Sequence, residues 1–417
     1  MGTLIPLIVL IVAFVLIAVR KVGNINFRIW QVMLLGAAAV LVAGAITPKD
    51  ALASINLDVM LFLFFMFVIG EALAASGYLY HLSYHLFARA GSVRHLVFLI
   101  LIGGGLLSAL LMNDTLAVVG TPLMLYFARR HGISPKLLLL SLAFAVTTGS
   151  VASPIGNPQN LLIALSGGIE NPFITFPLYL ALPTVISLLL AYWFLCRAFP
   201  DDLNSAIPLV HRKEEILDPD LASLARLSLI LLVLLIGAKI LAAVLFPAFD
   251  IGLTWIAVIA ALPILLGSRR RFEIVYRIDW PTLAFFAGLF VLMASVWQSG
   301  VFQPLIEESP LDITAPPVIL AMGVIVSQFV SNVPFVALSL PVLSHLGAST
   351  AGMMALAAGS TIAGNMLILG AASNVIIIQC AEREGETLTF GEFARVGLPL
   401  TIAQAAVYAL FLSFIPA

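Results

Sequence analysis

The sequence predicts an all-α polytopic membrane protein built from two inverted repeats, with about ten crossings, two re-entrant helical hairpins and two broken helices. Composition is the first observation: 62% of the 417 residues are hydrophobic and 10% are charged, whereas soluble domains carry about 25% charged residues. The second observation is the length of the apolar stretches, which suits membrane spans of about 20 residues. The third is a polar signature that occurs twice, half a chain apart.

The apolar stretches predict the same order of elements in each half. The first repeat, 1–198, is predicted to contain spans at 3–19, 28–46 and 57–75, a hairpin at 95–129, a broken helix at 136–167 and a closing span at 175–198. The second repeat, 227–417, is predicted to contain spans at 227–246, 252–267 and 280–299, a hairpin at 316–346, a broken helix at 349–380 and a closing span at 395–416. The charged stretch 199–226 is predicted to be a cytoplasmic linker. Residues 78–89 are amphipathic and are predicted to lie along the membrane interface.

The polar signature recurs at matched positions. Asn113 and Asn332 are 219 residues apart, and Asn160 and Asn374 are 214 residues apart. Backbone groups without partners are costly in lipid, so carboxamides and Gly/Pro breaks persist where broken helices line a site. A pair of such breaks in corresponding halves indicates the substrate site of a transporter.

The distribution of basic residues predicts the orientation. With each hairpin counted as no net crossing, 18 of the 20 Lys and Arg residues fall on one side, the exceptions being Lys49 and Lys239. The positive-inside rule makes that side cytoplasmic, with both termini outside. Each half then has an odd number of crossings, so the two halves are predicted to be inverted relative to each other.

Helix N-termini at the hairpin tips and breaks favour an anion or an electron-rich oxygen, whereas free carbonyls and half-helix C-termini can coordinate Na⁺. We predict eight neutral substrate contacts: Asn113, Thr115, Gln159, Asn160, Ser331, Asn332, Ser373 and Asn374. A possible Na⁺ site is expected near the backbone of the four asparagines in that set. Neither signature contains Lys or Arg, which favours a small oxyanion or a neutral polyhydroxy species. The alternative is that the asparagines only cap their own helices and the small residues only pack.

Two acids within the apolar segments are candidates for coupling, because intramembrane ionisable residues are functional hypotheses by default. Asp114 lies at the first tip and Glu71 lies within the third span. We also assign Asn157 and Asn365 to a coupling-ion site. The alternative for the two acids is an internal ion pair, for example with Lys239. Asp58 and Asp279, at the starts of corresponding helices, are predicted to be N-terminal caps.

The signature resembles a known family. The runs that carry the resemblance are Asn113-Asp114-Thr115-Leu116-Ala117-Val118, Ser153-Pro154-Ile155-Gly156-Asn157-Pro158-Gln159-Asn160 and Gly364-Asn365-Met366-Leu367-Ile368-Leu369-Gly370-Ala371-Ala372-Ser373-Asn374. They are similar to the ion transporter superfamily, and within it to the branch of arsenite-efflux permeases, NhaD-type antiporters and bacterial anion permeases. The dicarboxylate-symporter branch usually has Ser-Asn-Thr at both tips. This chain has Asn-Asp-Thr and Ser-Asn-Val. It also has Asn157-Pro158-Gln159 where many relatives have Gly-Asp-Pro-Pro.

The resemblance implies a scaffold and a moving transport unit, often in a homodimer, in a bacterial inner membrane, with an accessory ATPase as a possible partner. We expect a secondary active transporter for a small inorganic oxyanion or its neutral acid, such as arsenite or antimonite, coupled to H⁺ or Na⁺ and moving as an elevator. The alternatives are a Na⁺-coupled carboxylate or sulfate symporter, a Na⁺/H⁺ antiporter and a passive channel. The sequence has no HExxH, GxSxG or paired intramembrane aspartates, so we expect no enzyme, no metal centre, no cofactor besides the coupling ion and no nucleic-acid partner.

Overall fold

The computed structural model describes residues 4–19, 21–22, 25–26, 28–87, 90–203, 216–245, 252–300 and 312–414. Within these ranges the regular secondary structure is helical except for an antiparallel pair of two-residue strands, β1 (Lys21–Val22) and β2 (Ile25–Asn26). The predicted all-α membrane class is confirmed. Much of the predicted linker, 204–215, and residues 301–311 lie outside the described residues.

The helices of the first half follow the predicted order. They are α1 (Ile5–Val19), α2 (Ile29–Val42), α3 (Pro48–Ser54), α4 (Leu57–Ala75), α5 (Tyr78–Phe87), α6 (Val93–Leu99), a π-helical segment (Ile100–Gly104), α7 (Gly105–Leu111), α8 (Asn113–His131), α9 (Pro135–Ser150), α10 (Pro158–Ser166), α11 (Pro172–Ala198) and α12 (Pro200–Leu203). The first hairpin is thus α6–α7 against α8, and the first broken helix is α9 followed by α10.

The second half has corresponding helices. They are α13 (Pro219–Leu245), α14 (Leu253–Gly267), α15 (Arg271–Arg277), α16 (Trp280–Gln298), α17 (Pro316–Val330), α18 (Asn332–His345), α19 (Thr350–Ile362), two 3₁₀ turns (Ala363–Asn365 and Ile368–Gly370), α20 (Ala372–Arg383) and α21 (Phe390–Phe414). The second hairpin is α17 against α18, and the second broken helix is α19 followed by α20. α13 begins at Pro219, inside the predicted linker, and a proline is tolerated at a helix start because the first N–H groups of a helix have no intrahelical partner. The repeat and linker boundaries remain predictions.

Six described helices are long and apolar enough to cross a membrane: Leu57–Ala75, Val93–Leu111, Pro172–Ala198, Pro219–Leu245, Trp280–Gln298 and Phe390–Phe414. The other predicted plain spans correspond to shorter helices, since α1 and α14 have 15 residues each and α2 has 14. At 1.5 Å per residue these helices are about 21–23 Å long.

The predicted caps are right at one helix and wrong at the other. The carboxylate of Asp279 accepts the backbone N–H of Thr282 at 3.1 Å and caps α16, as predicted. In α4 the cap is Asn56, whose Oδ1 accepts the N–H of Val59. Asp58 lies inside the first turn, and its carboxylate accepts the hydroxyl of Thr254 at 2.9 Å. Asp58 therefore ties α4 to α14 across the two halves.

The helices pack in two groups. The first helix group contains α1, α2, α4, α13, α14 and α16, with α2 against α16 and α4 against α14. The second helix group contains α7–α11 and α17–α21. Within it each hairpin reaches across to the other half, since α8 packs on α20 and α18 packs on α10. Contacts between the groups, such as α4 with α8 and α16 with α18, are less extensive.

In both halves the hairpin meets its broken helix backbone to backbone. A Cβ on Gly149 of α9 would lie 2.2 Å from Cα of Gly105 in α7. A Cβ on Gly359 of α19 would lie 2.6 Å from the carbonyl oxygen of Leu320 in α17. Real Cβ contacts are essentially never below 3.0 Å, so these positions require glycine. Such small-residue contacts are how membrane helices approach closely, and they hold each hairpin against its own broken helix.

Candidate functional site

Both hairpins turn through a strained residue directly before the signature asparagine. Met112 has φ 66° and ψ 138°, and Ser331 has φ 71° and ψ 161°. This region of backbone conformation is populated almost entirely by glycine, and a residue held there costs about 1–3 kcal/mol. The surrounding structure therefore maintains the same unfavourable turn in both halves. Strain of this kind clusters at ligand sites and switch regions.

The two tip asparagines are buried and carry unused acceptors. Asn113 and Asn332 are each 5% exposed. Among the described residues, Oδ1 of neither side chain has a hydrogen-bond partner. Asn113 donates its backbone N–H to the carbonyl of Gly156 at 2.9 Å and its Nδ2 to Oγ of Ser373 at 3.5 Å. The first tip thus touches the break of its own half and the first turn of α20 in the other half.

The first break satisfies its own polar groups. Asn157 caps α10 by accepting the N–H of Asn160 at 2.8 Å, and its Nδ2 donates to Oγ of Ser150 at 2.9 Å. Nδ2 of Asn160 lies 2.9–3.1 Å from the carbonyls of Ser150, Val151 and Ser153. Asn160 therefore satisfies backbone carbonyls of the break, as the capping alternative expects; its role as a substrate contact stays a prediction.

Thr361 of α19 connects the two broken helices. Its hydroxyl donates to Oδ1 of Asn160 at 3.4 Å. It accepts Nε2 of Gln159 at 3.3 Å and Nδ2 of Asn157 at 3.4 Å. Three of the predicted residues of the first break are therefore joined to one hydroxyl of the second half. All four side chains are at most 2% exposed.

The second break leaves acceptors unused. Nδ2 of Asn374 donates to the carbonyl of Gly364 at 2.5 Å, which corresponds to the bond from Asn160 to Ser150 at the same spacing of 214 residues. Within the described chain, however, Oδ1 of Asn374 and Oδ1 of Asn365 have no partner. Oγ1 of Thr147, beside Gly364, is also unpartnered. Three buried oxygens around Gly364 therefore lack hydrogen-bond partners among the residues that the structure describes.

The remaining predicted residues lie at the edges of this cluster. Ser373 is buried and accepts from Asn113, and Ser331 is partly buried at the second tip. Thr115 packs against α4, because a Cβ on Gly70 would lie 2.9 Å from Oγ1 of Thr115. Thr115 is therefore on the side of α8 that meets the first helix group.

Both predicted acids lie near this boundary. Asp114 is in the first turn of α8 and Glu71 follows Gly70 in α4, and both are partly buried. Within the described ranges, the ion pairs found do not include Asp114 or Glu71, so the pairing with Lys239 is not seen. The two acids therefore flank the contact between α4 and α8, where the two helix groups meet.

Two polar contacts were missed from the sequence. Gln328, in the first arm of the second hairpin, donates Nε2 to the carbonyl of Ala363 at 2.8 Å and so binds the second break. Gln404, in α21, is fully buried and accepts Nδ2 of Asn365 at 2.9 Å. Both are carboxamides inside apolar stretches, and that was the available signal. Neither has a glutamine at the corresponding position of the first half, so the repeat did not reveal them.

A separate cavity of about 450 Å³ opens at the far end of α8. Pro122, Tyr126, Arg129, Arg130 and Glu384 line it. Arg129 forms an ion pair with Glu384 there at 2.9 Å. The four lining residues of α8 follow the tip by nine or more positions, at least about 13 Å along a helix, so the cavity is distinct from the cluster of buried amides.

The structure buries two hairpin tips and two helix breaks together inside an apolar helical protein, and several of their polar atoms are unused. This arrangement defines a membrane transporter. The chain belongs to the CitMHS family, described as citrate transporters, which it matches over residues 11–352. The resemblance to the ion transporter superfamily is thereby confirmed. The protein is a secondary transporter of this family.

Several proteins named as transporters are similar to this chain over nearly its whole length. An uncharacterized transporter of Mycobacterium tuberculosis is 30% identical, with 97% of this chain and 96% of that protein covered. The silicon efflux transporter LSI3 of Oryza sativa is 28% identical, with 90% of each chain covered. The crystal structure of the YdaH transporter of Alcanivorax borkumensis aligns with a TM-score of 0.58 at 18% identity, covering 98% of this chain and 96% of that one. That last likeness concerns the fold.

Proposed function

We propose that this protein transports a small inorganic oxyanion or its neutral acid, using the tips and breaks of the second helix group as the binding site. The observation that carries the proposal is the pair of buried Oδ1 atoms on Asn113 and Asn332 that have no partner in the described part of the chain. A carboxamide oxygen accepts hydrogen bonds, and each lies at a helix N-terminus whose N–H groups favour an electron-rich oxygen. A hydroxylated acid offers both donors and acceptors to this arrangement.

The charge of the site supports a neutral acid over a polyanion. Apart from the carboxyl of Asp114, the polar side chains at the tips and breaks are amides and hydroxyls, and neither signature contains Lys or Arg. A multiply charged ligand there would be held by helix termini and co-ions alone. The name of the rice relative, a silicon efflux transporter, supports a small hydroxylated acid. Arsenite and antimonite belong to the same chemical class. The family description favours the alternative, a cation-coupled carboxylate such as citrate.

We infer that a coupling cation binds at the second break. The support is the contrast between the breaks. The first break and Thr361 together satisfy Asn157 and Asn160, whereas the oxygens of Asn365 and Asn374 have no partner among the described residues. Oxygens without donors suit Na⁺, and a carboxyl such as Asp114 suits H⁺. Imposing a Na⁺ gradient alone and an H⁺ gradient alone shows which of the two is the coupling ion.

We infer an elevator-type movement in which the second helix group slides against the first. The support is that packing within each group is more extensive than packing between them.

The homodimer, the accessory ATPase, the bacterial inner membrane and the outward termini remain predictions of the sequence. For the orientation, tags at residue 170 are expected outside and tags at residues 132 and 272 in the cytoplasm. Labelling of residue 170 from the cytoplasmic side would contradict the predicted topology.

The substrate proposal is tested with purified protein in proteoliposomes. Flux of arsenite, silicic acid, sulfate and citrate is measured with an H⁺ gradient, a Na⁺ gradient or neither. We expect gradient-driven flux of a neutral hydroxylated acid, abolished by Asn332→Ala. Gradient-driven flux of citrate alone would establish the carboxylate alternative. Flux that persists unchanged after both gradients are collapsed would establish a channel.

A further inference from the structure

A buried hydrogen-bond network joins the closing helix α21 to both broken helices. Gln404 of α21 accepts Nδ2 of Asn365 at 2.9 Å through Oε1. Its Nε2 donates to Oγ1 of Thr148 in α9 at 3.1 Å and to the carbonyl of Ser187 in α11 at 3.4 Å. Asn365 also donates Nδ2 to Oγ1 of Thr148 at 2.9 Å. All four residues are fully buried.

This network determines which end of the Asn365 carboxamide is free. Its Nδ2 has two hydrogens, and the acceptors Thr148 Oγ1 and Gln404 Oε1 use both. The two ends of a carboxamide diverge, so Oδ1 is directed away from these partners. Oδ1 has no partner among the described residues. An acceptor held without a donor in a buried site costs free energy unless a ligand supplies the positive end.

We propose that Gln404 is a positioning residue for the coupling cation. By accepting from Asn365, it holds the oxygen of that side chain toward a monovalent cation and keeps the donor end away from it. The inference rests on the proposed cation at the second break. Gln404 itself does not touch the cation. Partners that orient a first ligand commonly change ion affinity about 10–100-fold when removed.

The test measures cation binding without transport. Thermal unfolding of the purified full-length protein in detergent is followed while NaCl replaces choline chloride at constant ionic strength. We expect Na⁺ to raise the unfolding midpoint of the wild type, because a ligand that binds the folded state stabilises it. Gln404→Leu should raise the Na⁺ concentration needed for half of that effect about tenfold or more. Thr148→Val, which removes the other acceptor for Asn365, should act in the same direction and replaces Gln404→Leu if that variant does not fold.

The matched control is Thr184→Val. Thr184 and Tyr408 share a buried hydrogen bond of 2.7 Å between the same two closing helices, α11 and α21. Its loss should lower the unfolding midpoint without changing the Na⁺ dependence. In an Asn365→Ala background, Gln404→Leu should cause no further change in Na⁺ dependence, because it acts through Asn365.

Three results would overturn the inference: the same Na⁺ dependence in Gln404→Leu as in Thr184→Val, an additive shift in the Asn365→Ala background, or a wild type that Na⁺ stabilises no more than choline does. The proposed transport is judged separately, by gradient-driven flux in proteoliposomes. Flux driven by H⁺ alone would leave the transporter proposal standing and remove the cation from the second break.

Discussion

Asn160 and Asn332 occupy comparable places in the signature, yet the structure predicts opposite consequences for their replacement. Nδ2 of Asn160 lies 2.9–3.1 Å from three backbone carbonyls of the first break. Asn160→Ala removes two N–H donors from these buried carbonyls. At about 1–3 kcal/mol for each buried polar group left without a partner, the expected loss is about 2–6 kcal/mol of folding free energy.

Asn332→Ala should behave differently. The side chain of Asn332 makes no hydrogen bond with the part of the chain that the structure describes, and its Oδ1 is unpartnered although the residue is 5% exposed. Removing an unsatisfied buried acceptor relieves a cost rather than adding one. We expect Asn332→Ala to unfold at the wild-type temperature or above it and to lose transport of the substrate.

Two measurements are needed. Thermal unfolding in detergent is monitored by size-exclusion chromatography, and flux is measured in proteoliposomes reconstituted at equal protein amounts. Asn160→Ala should show a lowered midpoint, and its flux should fall with the amount of folded protein. Asn332→Ala should show a wild-type midpoint with flux at background. Equal destabilisation in the two variants, or wild-type flux in Asn332→Ala, would refute the assignment of Asn332 to the substrate and of Asn160 to the break.

Three further outcomes follow from the same structure. Ser331→Gly should relieve the backbone strain at φ 71°. We expect the free energy of unfolding to rise by about 1 kcal/mol, the low end of the cost of such conformations, and the unfolding midpoint to rise with it. An unchanged midpoint in calorimetry would show that the turn is not strained. Asp114→Asn should leave ligand-induced stabilisation intact and abolish gradient-driven accumulation, and full accumulation would direct the search to Glu71. The N–H of Leu221 and the Arg270 guanidinium hold the pKa of Asp218 below its ordinary value, so the stability that Asp218 contributes is present above the ordinary carboxyl pKa and is lost as pH falls through the lowered pKa. Asp218→Asn should therefore lower the midpoint at neutral pH and differ little from the wild type in strong acid, and a difference independent of pH would contradict this account.

Hairpins and breaks were predictable because they require polar residues that are costly in lipid and therefore stand out in an apolar sequence. Polar residues at 113 and 332, and again at 160 and 374, interrupt otherwise apolar runs at matched spacing, and such interruptions persist only where the freed backbone groups find partners. The helix starts were less certain. Asn56 and Asp58 are both good capping residues two positions apart, and local sequence does not choose between them because the contact with Thr254 comes from the other half.

The roles of individual amides were not predictable from position alone. Asn160 and Asn374 match in the repeat and make corresponding bonds to carbonyls, but Thr361 satisfies the oxygen of the first and no described residue satisfies that of the second. That difference depends on which hydroxyl of a distant helix comes within 3.5 Å. Gln404 shows the same limit, since its partners lie 39, 217 and 256 residues away in sequence.

The glycine contacts restrict how a ligand could ever be released. Where the backbones at Gly105 and Gly149 touch, and again at Gly359 and Leu320, no side chain lies between the helices that could rotate to open a path. A hairpin held in this way cannot rotate away from its broken helix at these contacts without separating close-packed backbone. In the proposed elevator movement, exit and entry would depend on the side of the membrane to which the intact hairpin and break are carried. A substitution that widened either contact would be expected to create a leak rather than a faster transporter.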